Sequence, residues 1–288
     1  MPGHHSDAGA ASAGPILLIA AAAVALYAAA AGWQRRPMRR WSRWRTGSFA
    51  VGVGLVALAL SPPVAHLAHH DFRGHVVQHL LIGMFAPLAL VLAAPVTLAL
   101  RTLPARASRR IVALLRSRPA HWLSHPACAL LLSTGGMYLL YLTPLYAAVL
   151  ASPGLHRLVN VHFLAAGYLF AAVVVGADPL PRRPSMRARL AALFLSIAAH
   201  AALGKLMYAY LWPRGTPHDA EAIRAGAQLM YYGGDAAELL LAVALFGGWY
   251  AARGRRPGRP SAPQLTSAPG SPPDPRAAHT GRRRAPAP

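Results

Sequence analysis

Stretches of about twenty apolar residues, separated by short polar loops, recur along this 288-residue chain and constrain its fold more than any other feature. A helix needs about 20 apolar residues to cross the hydrocarbon core of a bilayer. Seven such runs occupy roughly residues 15–33, 48–70, 75–100, 127–147, 157–176, 189–211 and 227–251. Only 13% of the residues are charged, where a soluble domain carries roughly a quarter. The expected fold class is all-α: a polytopic membrane protein with seven transmembrane helices spanning residues 15–252. Residues 1–14 hold no Lys or Arg, so the first run reads as an uncleaved span rather than a secretory signal. Residues 253–288 are rich in Pro, Ser, Arg and Gly and too poor in apolar side chains to build a core.

The net charge of +21 would suit a nucleic-acid partner, but its placement excludes one. Loops 34–47, 101–125, 177–189 and 253–288 carry 6, 6, 4 and 8 arginines, whereas the opposite side has Arg73, Arg157, Arg214 and Arg224. Positive loops stay in the cytoplasm, so the N-terminus is expected outside and the C-terminus inside. Within the loop 101–125, the segment Arg109–Arg118 is expected to form a short surface helix. The single cysteine, Cys128, excludes an internal disulfide and any CxxC motif.

Coordinating chemistry is concentrated between runs two and three. His66, His69, His70, His75 and His79 fall within fourteen residues. On helices, His66 and His70 share a face at i, i+4, and so do His75 and His79. A tight turn at Asp71–Gly74 would bring the two pairs together, and imidazole is the commonest metal ligand. A partly wet cluster at the membrane interface is the alternative.

Further ionisable groups fall on the same expected side: His162 in run five, His200 and Lys205 in run six, and Asp235 and Glu238 with Tyr231 in run seven. Charges at such depth are costly and face a cavity or one another. Lys205 paired with Asp235 or Glu238 is the structural alternative. Pro62-Pro63, Pro87 and Pro95 interrupt the same runs, and Met84, Met207 and Met230 are candidate thioether ligands for Cu(I).

The ordered motifs resemble the CtaG-type, seven-helix assembly factors of bacterial cytochrome c oxidase. They are HHDFRGHVVQHLLIGMFAPLALVLAAPVTLALRTLP, VHFLAAGYLF, GADPLPRR, HAALGKLMY and GAQLMYYGGDAAELLLA, which together cover roughly residues 50–250. Run four departs from the family, reading Tyr141-Leu-Thr-Pro-Leu-Tyr146 where many members carry Trp-His before the proline. The resemblance implies a non-enzymatic role in the bacterial inner membrane. The chain would bind copper and help metallate the oxidase, with oxidase subunits and periplasmic copper chaperones as partners. His66, His70, His75, His79, His162 and His200 become the metal ligands. His69, Asp235, Glu238, Lys205 and Tyr231 would orient them.

Two enzyme readings compete. HLAHH and HVVQH look like histidine boxes of iron desaturases and hydroxylases, but a third box is missing and the charge pattern puts these two outside. A bis-histidine haem protein would use His79, His162 or His200 as axial ligands. A copper transporter would need ligands in both leaflets, and the inner one offers almost none.

Overall fold

Proline and small residues decide where the apolar runs break. The computed structural model describes residues 5–33, 41–181 and 183–253, with side chains from residue 14 onward. Residues 34–40, half of the expected basic stretch 34–47, and nearly all of the expected tail therefore lie outside the described residues.

Helix α1 (His5–Gly32) is followed by α2 (Arg43–Leu60) and α3 (Pro62–His70), which meet at a 53° bend. Ser61 is extended there, and Pro62-Pro63 fills the first turn of α3, where an N–H has no helical partner in any case. The third run comprises α4 (Phe72–Leu80), a π-helical turn (Leu81–Phe85), α5 (Ala86–Ala93) and α6 (Pro95–Thr102). The surface helix expected at 109–118 lies earlier, as α7 (Ala105–Leu115), with α8 (Arg118–Leu123) after it.

The fourth run repeats the pattern of the third: α9 (Pro126–Leu130), a π-turn (Leu131–Gly135) and α10 (Gly136–Tyr141), then a 78° bend into α11 (Leu145–Ala151). Three long helices complete the bundle, α12 (Pro153–Val175), α13 (Met186–Tyr210) and α14 (Ala220–Arg253). Among the described residues five helices are long and apolar enough to span a membrane, and seven if each bent pair is one span.

The turn expected at Asp71–Gly74 is a single residue. Asp71 is extended and caps α4 by accepting the Arg73 N–H at 2.8 Å, while Phe72 to Gly74 are already helical. Gly74 is needed because a Cβ there would collide with the Leu67 backbone on α3. Gly167 plays the same part deeper down, letting α12 pack directly on the Gly83 carbonyl within the first π-turn.

At the end of the bundle bearing the 177–189 loop, polar groups close helix ends. Asp178 accepts hydrogen bonds from the backbone N–H groups of Val96 (3.2 Å) and Thr97 (2.7 Å) and from the Thr97 hydroxyl (2.6 Å). It thereby caps α6 from eighty residues away, after Ala94 has broken the run in a left-handed conformation (φ 52°). Arg189 donates to the last carbonyls of α12, Val174 and Val175, both at 2.5 Å. Tyr27 donates to the Ala93 carbonyl and Ser48 to that of Ala89.

Candidate metal centre

His75 and His79 project from one face of α4, as their spacing requires, and both are buried. They enter different surroundings. His79 points into a cavity of about 30 Å³ lined also by Met84, Met137, Ser196, His200 and Glu238. The cavity lies between two apolar clusters, one around Phe72, Tyr141 and Met207 and the other around Phe170, Val173 and Leu245.

Within it, the His79 Nε2 is 3.1 Å from the Met137 Sδ, a borderline nitrogen facing a soft thioether. His200 reaches the cavity from α13 because Gly234 on α14 leaves room; a Cβ there would sit 2.5 Å from its Nε2. The His200 Nδ1 is 3.9 Å from a Glu238 carboxylate oxygen that accepts the Ser196 hydroxyl at 2.9 Å.

Polar atoms in this region are left open. Among the described residues the buried side-chain N and O atoms without a hydrogen-bond partner are His75 Nδ1, His79 Nδ1, Thr134 Oγ1, Tyr141 OH, His156 Nδ1, both His200 nitrogens and Glu238 Oε2. The Met230 backbone carbonyl stands near the His200 ring without hydrogen-bond geometry. Each buried polar group left without any partner would cost about 1–3 kcal/mol, so these atoms call for partners beyond the neighbouring side chains, either ordered water or an ion.

His75 instead faces tyrosines and a histidine. Its ring is 4.7 Å from that of Tyr146, 5.9 Å from Tyr141 and 5.7 Å from His156. The Tyr141-to-Tyr146 segment of run four therefore supplies aromatic walls to the hairpin. The Tyr146 hydroxyl is 3.1 Å from the Nε2 of His218, whose imidazole is pushed below its ordinary pKa by burial. At the rim, the Arg73 guanidinium hydrogen-bonds the Asp71 carboxylate and holds it below the usual carboxylate range.

The two i, i+4 pairs do not converge. His66 and His70 are exposed and lie against each other, ring centroids 4.3 Å apart. The break at Asp71 resets the helical phase, so it is His69 that turns inward, 4.6 Å from His156. His162 is exposed and bonds the Leu132 carbonyl at 3.1 Å, within the second π-turn. Lys205 is also exposed, its ammonium 5.8 Å over the Tyr231 ring, and no ion pair joins it to Asp235 or Glu238 among the described residues. Asp235 is half-buried, one turn from Glu238 on α14.

Met207 and Met230 are core residues, while Met84 and the unforeseen Met137 line the cavity. Among the described residues no three His, Cys, Asp or Glu side chains group closely enough to hold a metal by themselves. The set that does converge mixes imidazole, thioether and carboxylate.

The sequence model described as cytochrome c oxidase caa3 assembly factor (Caa3_CtaG) matches residues 25–252. The chain belongs to this assembly-factor family. The match covers every residue lining the cavity. An uncharacterised protein of Mycobacterium bovis is 35% identical over 197 residues, 65% of this chain and 30% of its own length. Another, from Mycobacterium leprae, is 33% identical over 177 residues, 59% of this chain and 27% of its own length. The chain thus spans under a third of these curated relatives. No solved structure matches it.

Proposed function

We propose that this assembly factor carries copper to cytochrome c oxidase as Cu(I), held in the cavity between α4, α10 and α13. The observation behind this is the His79 Nε2–Met137 Sδ pair at 3.1 Å, beside His200 with neither ring nitrogen bonded. Thioether and imidazole together suit Cu(I) better than harder divalent ions. The small cavity volume supports an ion over a macrocycle. Glu238, 3.9 Å from the His200 Nδ1, supplies the negative charge that a buried cation needs. Copper is cargo here: a mixed set with spare ligands (Met84, Glu238) lets a recipient exchange ligands one at a time. The arginine distribution supports an orientation with the His75 end outside, where copper chaperones and the oxidase copper sites would meet it.

The test is Cu(I) titration of the purified protein against a chromophoric chelator. Wild type should take up Cu(I), His79→Ala with Met137→Leu should weaken uptake at least 100-fold, and cells carrying that double variant should assemble oxidase poorly. Full oxidase activity from a stably inserted double variant would overturn the reading.

A further inference from the structure

The end of the bundle that bears loops 101–125 and 177–189 holds a groove of about 600 Å³, separate from the copper cavity. It runs between the α8–α9 corner and the first turns of α13. Both α9 and α13 start at this end, so the polar lining residues that precede them, His121, His125 and Arg183, lie at the loop side. The apolar ones that follow, Leu130, Ala191 and Leu195, run deeper. The polar part sits at headgroup depth by two signs. Trp122, beside His121, is exposed, and tryptophan is favoured at the membrane interface. Helix α7 carries Arg106, Arg109 and Arg110 on one face and Ile111 and Leu115 on the other, with no residue buried, as a helix lying in the interface does.

The positive charge of this groove has no counterpart in the protein. Among the described residues no acidic side chain lines it, and Arg183 forms no ion pair. Asp178, the carboxylate nearest to Arg183 in sequence, is held by the Val96 and Thr97 N–H groups. Arg183 instead lies near enough to Arg189 for the two charges to repel. His125 adds a donor. Its Nδ1 accepts the Ala127 N–H at 3.3 Å, so the ring proton of the neutral imidazole sits on Nε2.

We propose that this groove seats one anionic phospholipid of the adjoining leaflet. Its phosphate meets Arg183, His121 and His125, and one acyl chain lies between α9 and α13 along Leu130, Ala191 and Leu195. Basic pockets between transmembrane helices take anionic headgroups in this way. The lining selects net negative charge, because the ammonium of a zwitterionic headgroup would meet a cationic mouth and no carboxylate. The apolar depth selects a lipid over a free phosphate, whose hydration shell has nothing to replace it there. The bound lipid joins α9 to α13, and the site is independent of the copper cavity.

Native mass spectrometry of the full-length protein in detergent, titrated with phosphatidylglycerol or phosphatidylcholine, tests the site. Wild type should hold one phosphatidylglycerol about tenfold tighter than phosphatidylcholine. Arg183→Gln with His121→Gln, both exposed and so harmless to folding, should cut that preference about fivefold. Ala191→Trp, from an exposed position on α13, fills the groove while leaving its charges, and should release the bound lipid. Arg109→Gln removes a charge from α7 outside the groove and should leave the preference unchanged. Glycerol phosphate, which has no acyl chain, should not compete. Equal retention of the two lipids by wild type overturns the site, as does a preference that survives Arg183→Gln with His121→Gln. An equal fall in Arg109→Gln would reduce it to the general charge of the surface, and competition by glycerol phosphate would make it a phosphate site; either result overturns the lipid groove.

Discussion

The two ends of this bundle treat buried polarity in opposite ways. At the Asp178 end the polar side chains close helix termini or backbone carbonyls: Asp178 on α6, Arg189 on α12, Tyr27 and Ser48 on carbonyls of α5. Around α4 and the middle of the bundle the polar atoms lie open, on His75, His79, Thr134, Tyr141, His156, His200 and Glu238. A buried group with all its partners is part of the scaffold. A buried group without a protein partner costs stability unless water or an ion supplies one. The two ends should therefore respond oppositely to mutation.

The largest effect should come from Asp178→Ala. It leaves the Val96 and Thr97 N–H groups unpaired at a helix start, a loss of about 3 kcal/mol or more, read as a sharp fall in melting temperature and folded yield. His200→Leu should do the reverse. Stability should stay within about 1 kcal/mol of wild type, because an apolar replacement removes unpaired groups, while Cu(I) affinity drops at least tenfold. A large loss of stability with copper binding intact would break the comparison. Arg189→Met should cost about 1–2 kcal/mol through the freed Val174 and Val175 carbonyls, with copper binding unchanged. The smallest effect should be that of His66→Ala with His70→Ala, two exposed rings that lie against each other, for which copper affinity should shift less than about twofold.

Much of this was legible in the sequence. Hydropathy placed the spans, because backbone satisfaction in lipid leaves helices little alternative, and Pro62-Pro63 and Pro95 marked real breaks. His75, His79, His200 and Glu238 could be singled out because ionisable groups stand out in apolar runs, and all four are buried. The pairing of His66/His70 with His75/His79 failed on one residue. Asp71 ends one helix and caps the next, so the i, i+4 phase does not carry across it. His156 was hidden by its place next to Arg157 at a helix start, where a histidine looks interfacial. Met137 was hidden because a thioether in an apolar run carries no signal until its neighbour is known. The two π-turns, Leu81–Phe85 just after His79 and Leu131–Gly135 just before Met137, leave no mark that periodicity can read, although such turns gather at functional sites.

In the proposed function His79 and Met137 share one copper ion. X-ray absorption spectroscopy of the Cu(I)-loaded protein tests it most directly. One sulfur scatterer beside imidazole nitrogens is expected in wild type, with the sulfur lost in Met137→Leu and retained in Met207→Leu. A copper environment without sulfur in wild type, or one unaltered in Met137→Leu, would contradict it.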